Sequence, residues 1–330
     1  MEGKSKSITK QLWSGPQTPN EYRTAIIKKP HIKKLYSDTL IKYLEKGYIK
    51  EVKTEKAEDN AWYLPHFPVV RMEKETSKVR IVFDASASYQ GISLNDTIDQ
   101  GPNLQQDLQK VLLRFRKNKF AIACDIEEMY MQIQLPEADR PFFRFLWRNG
   151  TDSTPSIFEF QMVIFGGTAS PFQAQFVARE NAILHSEEFP RASETVLHST
   201  YMDDSMDSEK SIGKTETLCR ELNGLWCKAG MVPRKWLSND PRALASIPHE
   251  NRAKHISIDG VDRLPVSKTL GLTWDAQNDM LIFKISMPSN IPDTKRTFLK
   301  VSAAIFDPMG FISPFTVIAK IDAKLVAKEM

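Results

Sequence analysis

The chain has 330 residues, 41% of them hydrophobic and 26% charged, with a net charge of +4. Those proportions describe an ordinary globular protein large enough for more than one subdomain. It contains no secretory h-region and no apolar run of about 18 residues, so no membrane partner is expected. Cys124, Cys219 and Cys227 lack a CxxC pair, and the histidines show no zinc spacing, which fits a reducing compartment.

Residues 1–61 form a basic lead-in. Within them, residues 1–56 carry 13 Lys/Arg against 6 Asp/Glu, a local +7 that leaves about −3 for the remainder. Such a segment either follows a phosphate backbone or is simply solvated. Lys78 and Arg80 alternate with Val79 and Ile81 and so share one strand face. A forked guanidinium beside a point-charge ammonium suits a triphosphate; solvated charge is the rival reading. Leu104, Leu108, Val111, Leu112 and Phe115 recur at helical spacing and end in Arg114, Arg116, Lys117 and Lys119. The apolar run from Phe120 ends at Asp125, after which Met129, Met131, Ile133 and Leu135 alternate as in a half-buried strand.

Strand-like segments follow at 142–147 and 158–165. The spacing of Phe172, Phe176 and Ile183 after Ser170-Pro171 predicts a helix. Residues 196–200 can run as a strand, and Ser205, Asp207 and Ser208 can turn the chain back, which places Tyr201-Met202-Asp203-Asp204 at a hairpin tip. Leu218, Leu222, Leu225 and Trp226 predict a further helix closed by Gly230. The predicted class is α+β, a mixed and largely antiparallel sheet with helical backing and no internal repeat.

Asp203 and Asp204 are adjacent carboxylates after an apolar stretch, and Asp125 ends a second such stretch 78 residues earlier. Antiparallel pairing can bring the three together. Without cations they would repel one another and raise their own pKa values. Mg²⁺ removes that penalty, because it takes oxygen ligands and completes its shell with water and phosphates. Two such ions about 4 Å apart can activate a hydroxyl and stabilise a leaving oxygen.

The YMDD sequence, with an upstream Asp followed five residues later by an aromatic, resembles the palm of a reverse transcriptase. More closely, the chain resembles the polymerase of BEL/Pao-type LTR retrotransposons. The matching blocks begin with Tyr63-Leu64-Pro65-His66, Lys78-Val79-Arg80-Ile81-Val82-Phe83-Asp84-Ala85-Ser86 and Gly101-Pro102-Asn103-Leu104-Gln105. They continue through Phe165-Gly166-Gly167-Thr168-Ala169-Ser170-Pro171 and Arg234-Lys235-Trp236-Leu237-Ser238-Asn239. Lys268-Thr269-Leu270-Gly271-Leu272-Thr273-Trp274 and Ile305-Phe306-Asp307-Pro308-Met309-Gly310 complete the set. They occur in the family's order and run from Trp62 to Lys320.

The resemblance implies a right-hand-like polymerase with fingers, palm and a partial thumb or connection. Fingers and palm would occupy 62–255, and the primer-holding hairpin and thumb or connection 256–330. Asp125 and Asp203 match the family's metal ligands, Asp204 is a weaker third, and the main-chain carbonyl of Ile126 is a further ligand for two Mg²⁺ ions, with Mn²⁺ as a substitute. Glu127 and Glu128 are expected to point outward or to support the ligands from behind, and His198 to be a strand histidine with satisfied hydrogen bonds.

Tyr130 matches the aromatic ring that excludes a ribose 2′-hydroxyl. Phe165 and Gly166 match the loop beneath the incoming base pair; some relatives carry Gln in place of Phe165, so that residue's polar contacts do not transfer. Lys235 matches a lysine that protonates the pyrophosphate leaving group, with a surface ion pair as its rival. Leu270, Gly271 and Trp274 match the hairpin that holds the primer end, the rival being a plain strand with a close-packed glycine.

Two decoys are set aside. Gly213-Lys214-Thr215 lacks the glycine of a phosphate loop, since Ser208 stands in its place. No Asp-Thr-Gly or Asp-Ser-Gly of an aspartic protease occurs. The resemblance implies a DNA polymerase acting on an RNA or DNA template with primer and dNTPs, in the cytoplasm or inside virus-like particles. It would be a segment of a polyprotein whose protease, RNase H and integrase lie elsewhere, or a truncated copy; the alternative is a catalytically silent nucleic-acid-binding remnant.

Overall fold

The computed structural model describes residues 30–52, 61–70, 79–148, 155–254, 256–258, 261–283, 294, 296–297, 301 and 305–326. Lys78 lies outside them. In chain order come helix α1 (Pro30–Glu45), strands β1 (Ile49–Val52), β2 (His66–Val70) and β3 (Val79–Phe83), and helix α2 (Leu108–Phe115). Strands β4 (Phe120–Ile126), β5 (Arg144–Trp147) and β6 (Ser156–Phe160) precede helices α3 (Ser170–Leu184) and α4 (Pro190–His198). Strands β7 (Thr200–Tyr201) and β8 (Asp204–Glu209), helix α5 (Ile212–Lys228) and strand β9 (Pro233–Ser238) follow. The last elements are β10 (Ile256–Ile258), β11 (Val261–Arg263), β12 (Val266–Thr269), β13 (Leu272–Asp275), β14 (Met280–Ile282) and helix α6 (Ser313–Val326). All pairings between these strands are antiparallel, so the class is α+β.

The chain divides into two compact units, one of residues 1–104 with 128–177 and the other of 105–127 with 178–330. In the first, β6 lies between β1 and β5, and β2 pairs with β3. Helix α1 falls within the basic lead-in. Pro30 at its first position supplies a ready-made helical φ, and Ile32, Tyr36 and Leu40 recur every fourth residue as its buried stripe. Gly47, at φ 72°, ends that segment in the left-handed region. The core is aromatic: the Phe83 ring meets those of Phe145 and Phe160 edge-on at 4.9 and 4.6 Å.

His66 on β2 is buried in this core. Its Nε2–H donates to the Leu146 carbonyl at 2.8 Å, and its Nδ1 accepts from the Tyr36 hydroxyl, which requires the neutral Nε2–H tautomer. Burial holds its pKa below the ordinary value. The unfolded chain, with histidine near about 6.5, then binds a proton that the folded chain resists, so stability is full above that pH and is lost as pH falls below it. The His66 contribution to the urea midpoint, read as the difference between wild type and a His66→Gln variant because carboxyls titrate in the same window, should therefore shrink between pH 7.5 and 5.5. His66→Gln should be less stable at pH 7.5, by about 1–3 kcal/mol, a gap that narrows toward the lower pH. A constant gap would assign the pH dependence to other groups.

In the second unit the sheet runs β7-β8-β4-β9. With a neighbour on each side, β4 is interior, and its residues from Ala121 to Cys124 are all buried, which accounts for the apolar run. Helix α2 is capped by the Asp107 carboxylate, which accepts from the Lys110 N–H. Ser211 caps α5 in the same way, and Leu218, Leu222, Leu225 and Trp226 are its buried stripe. Gly213-Lys214-Thr215 is thus the first turn of a capped helix.

Two expected strands are not strands. Residues 196–198 end α4, whose buried Ala192, Ser193, Thr195 and Val196 follow a helical period begun at Pro190; only Thr200–Tyr201 is extended. His198 accordingly lies exposed at a helix terminus. Met129–Gln132 is a 3₁₀ turn, because Glu128 takes a left-handed φ of 49° and turns the chain. Met129 and Met131 are buried all the same. The expected strands at 142–147 and 158–165 shorten to β5 and β6, with Arg140–Phe143 a 3₁₀ turn.

Candidate active site

Strands β4 and β8 fix the acids. Their register sets Asp125 directly opposite Asp204, and the β7–β8 turn places Asp203 one residue before it. The Ile126 N–H donates to the Asp203 carbonyl at 2.8 Å, which ties the turn to the end of β4. Like charges directly opposite on a sheet are destabilising, so packing alone gives no reason for this pairing.

On its other side β4 pairs with β9, where the register slips. Ala123 faces Leu237 while Asp125 faces Arg234, leaving one extra residue in β9. This bulge re-aims a side chain. Lys235 adopts a φ of 53°, and its Nζ reaches Asp125 Oδ2 at 2.7 Å. Met202 and Leu270 also have positive φ, at 57° and 51°. Each such non-glycine residue costs on the order of 1–3 kcal/mol and persists only where the surroundings enforce it; such residues cluster at functional sites.

The acids perturb one another. Burial, then Asp203 and Asp125, push the Asp204 carboxyl up to about 7, against the opposing pull of Lys235 and of the Leu270 backbone. Among the described residues no three His, Cys, Asp or Glu side chains form a ready-made metal cage. The donor set is an open, oxygen-only acidic patch, which fits a hard cation that takes its remaining ligands from substrate and water. Neighbouring Cys124 is buried, and desolvation followed by Cys219 and the two acids raises its thiol well above the ordinary range, so it supplies no thiolate.

No protein-family model matches the chain, and no curated protein matches it.

The Asp204 shift has a sign that can be tested. An acid at about 3.9 in the unfolded chain and about 7 in the fold leaves stability intact below the lower value and erodes it as pH rises through the higher. Metal-free Asp204→Asn at pH 8 should therefore be more stable than wild type, on the order of 2–4 kcal/mol. Mg²⁺ should raise the wild-type urea midpoint more than the variant's, since it relieves a repulsion the variant no longer has. Equal midpoints without metal would contradict the acidic strain.

The other expected residues divide between the units. In the second, Glu127 pairs with Arg234 at 2.7 Å. Leu270 and Gly271, at φ 51° and 82°, form the two-residue tip of the β12–β13 hairpin. Trp274 is only 1% exposed and packs edge-on against Phe115 at 4.8 Å, so it anchors the hairpin instead of offering a surface to a primer. The fold therefore contains the hairpin and also its rival's close-packed glycine.

In the first unit, Glu128 turns away to accept from Lys46 Nζ at 2.6 Å and the Tyr48 hydroxyl at 2.9 Å. Arg80 is exposed on β3. The half-buried Tyr130 ring lies 4.7 Å from that of Phe165. Gly166, at φ 107°, leaves 2.6 Å between a would-be Cβ and the Phe83 carbonyl, so no other residue fits there.

Asn95 was not legible as part of this loop. Its side chain donates to the Gly166 carbonyl at 3.0 Å and accepts from the Thr168 N–H at 2.9 Å. An isolated Asn some 70 residues upstream carries no local signal of that role.

Proposed function

We propose that the chain is an RNA- and DNA-directed DNA polymerase of the retrotransposon reverse-transcriptase type, extending a primer 3′-hydroxyl with dNTPs. The observation that carries this reading is the pairing of Asp125 with Asp204 across β4 and β8, with Asp203 on the intervening turn. In this reading β7-β8-β4-β9 is the palm of a right-hand fold. Asp125, Asp203 and the Ile126 carbonyl would hold two Mg²⁺ ions, with Asp204 a weaker ligand. Bound there, the metal would acidify the primer hydroxyl and neutralise charge on the departing oxygen.

The chain's own residues do the rest by position and charge, as phosphoryl transfer requires. Lys235, whose ammonium already sits on Asp125, gives a proton to the pyrophosphate leaving group. Arg80 forks the triphosphate oxygens, Lys78 adds a point charge, and Phe165-Gly166 lines the incoming base pair. Tyr130 blocks a 2′-hydroxyl. Template and primer are the macromolecular substrate, and protease, RNase H and integrase domains of a polyprotein are the expected companions.

The test is extension of oligo(dT) on poly(rA) by the purified chain with Mg²⁺ and dTTP. A product ladder is expected; binding of template–primer without any extension would make the chain a silent remnant. Within an active enzyme, Arg80→Ala should raise the KM for dTTP about ten-fold, since charge-assisted hydrogen bonds are worth about 1.5–3 kcal/mol. Loss of template–primer affinity at an unchanged KM would place Arg80 on the nucleic-acid track instead.

A further inference from the structure

The loop at Ile305-Phe306-Asp307-Pro308-Met309-Gly310 has no part in the chemistry above, yet it is held from several sides. The Asp307 carboxylate accepts from the Phe311 and Ile312 N–H groups at 3.0 and 2.8 Å, just ahead of α6. The Pro308 carbonyl accepts from the Gln109 side chain on α2 at 2.8 Å. Met309 packs against the core that contains Leu272 and Trp274. One side chain from this anchored loop reaches the hairpin tip. A Cβ on Gly271 would lie 2.8 Å from Phe306 Cε1 and 3.0 Å from Cδ1, so the ring is seated against the bare glycine backbone. Phe306 remains 47% exposed. A half-exposed aromatic contributes little to a core but can brace a turn.

That turn is coupled to the acids. Leu270, beside Gly271, is held at a strained φ of 51°, and its backbone lies near enough to Asp204 to draw that carboxyl's pKa down. Trp274 fixes the hairpin's base through Phe115, and Phe306 fixes its tip.

We infer that Phe306 is a positioning residue, whose ring clamps the Leu270–Gly271 tip and so keeps the Leu270 backbone beside Asp204 and the hairpin in register with the primer end. The inference rests on the polymerase reading for its consequence. Its geometry can be tested without catalysis.

Phe306→Ala should lower the single-turnover rate of dTTP addition about ten-fold, since a displacement near 1 Å can cost up to about a hundred-fold. The fraction of active enzyme, the affinity for template–primer and the dTTP KM should hold, whereas general destabilisation would reduce the active fraction. Phe306→Tyr, which keeps the ring, should restore the rate. Gly271→Ala should be slow, both from its φ and from collision with the ring. Adding Phe306→Ala removes the collision, so the double variant should be faster than Gly271→Ala alone.

Wild type, Phe306→Ala, Gly271→Ala and the double variant in urea unfolding should show coupling of the two sites. An additive unfolding cycle, or a wild-type rate in Phe306→Ala, would overturn the clamp while leaving the polymerase standing. Wild-type protein that extends no primer but retains the unfolding coupling would overturn the polymerase reading and the rate effect, and leave the contact itself supported.

Discussion

Asp125→Asn and Asp203→Asn should each abolish primer extension without lowering the unfolding midpoint. The amide keeps the shape of the carboxylate and removes the charge proposed to hold a divalent cation. Losing that charge stabilisation is worth on the order of 4 kcal/mol, or about a thousand-fold in rate. At Asp125 the substitution also takes the partner from Lys235 Nζ, now 2.7 Å away; this pair is exposed enough to contribute little to stability. The Asp203 backbone carbonyl keeps its bond from the Ile126 N–H whatever the side chain, so the turn should survive. Extension assayed at matched protein concentration and Mg²⁺ checks both. Near-wild-type extension by either variant would remove the acids from the chemistry.

Tyr130→Val should relax the choice of sugar. The ring is carried on a 3₁₀ turn between buried Met129 and Met131 and lies against Phe165. In the proposed polymerase, cutting it back would open space for a 2′-hydroxyl and leave the acids untouched. Discrimination against rNTPs should fall by on the order of 3 kcal/mol, more than a hundred-fold in the ratio of kcat/KM values. Activity with dNTPs should also decline somewhat, since Phe165 loses its neighbour. The rNTP/dNTP ratio within each protein, from single-nucleotide addition, separates the two effects. An unchanged ratio in an active Tyr130→Val enzyme would make Tyr130 a core residue.

The acids were legible because each ends or interrupts a locally apolar segment, and such a break is visible without tertiary information. The stripes of α5 and of α2 from Leu108 onward were legible for the same reason, as helical period and cap are local; Leu104 shares the spacing but precedes the Asp107 cap and lies outside the helix. Residues 196–198 were misleading because a window opening at Val196 hides the Ala192 and Ser193 that complete the helical face. The alternation of Met129 to Leu135 mimics a strand, and nothing in it announces the left-handed Glu128 that breaks the extension. The β9 bulge aiming Lys235, the Asn95 pin and the Phe306 contact with Gly271 depend on residues brought together from distant parts of the chain. Their sequence trace is a glycine or an asparagine with many possible reasons to be there.

Template-directed single-nucleotide addition by wild type beside Asp203→Asn tests the central claim most directly. With a 5′-labelled primer and Mg²⁺, wild type should add only dTTP opposite rA and only dGTP opposite rC, nothing after chelation, and Asp203→Asn should add nothing. Addition indifferent to the template base, addition without divalent metal, or equal addition by the Asp203→Asn enzyme would contradict it.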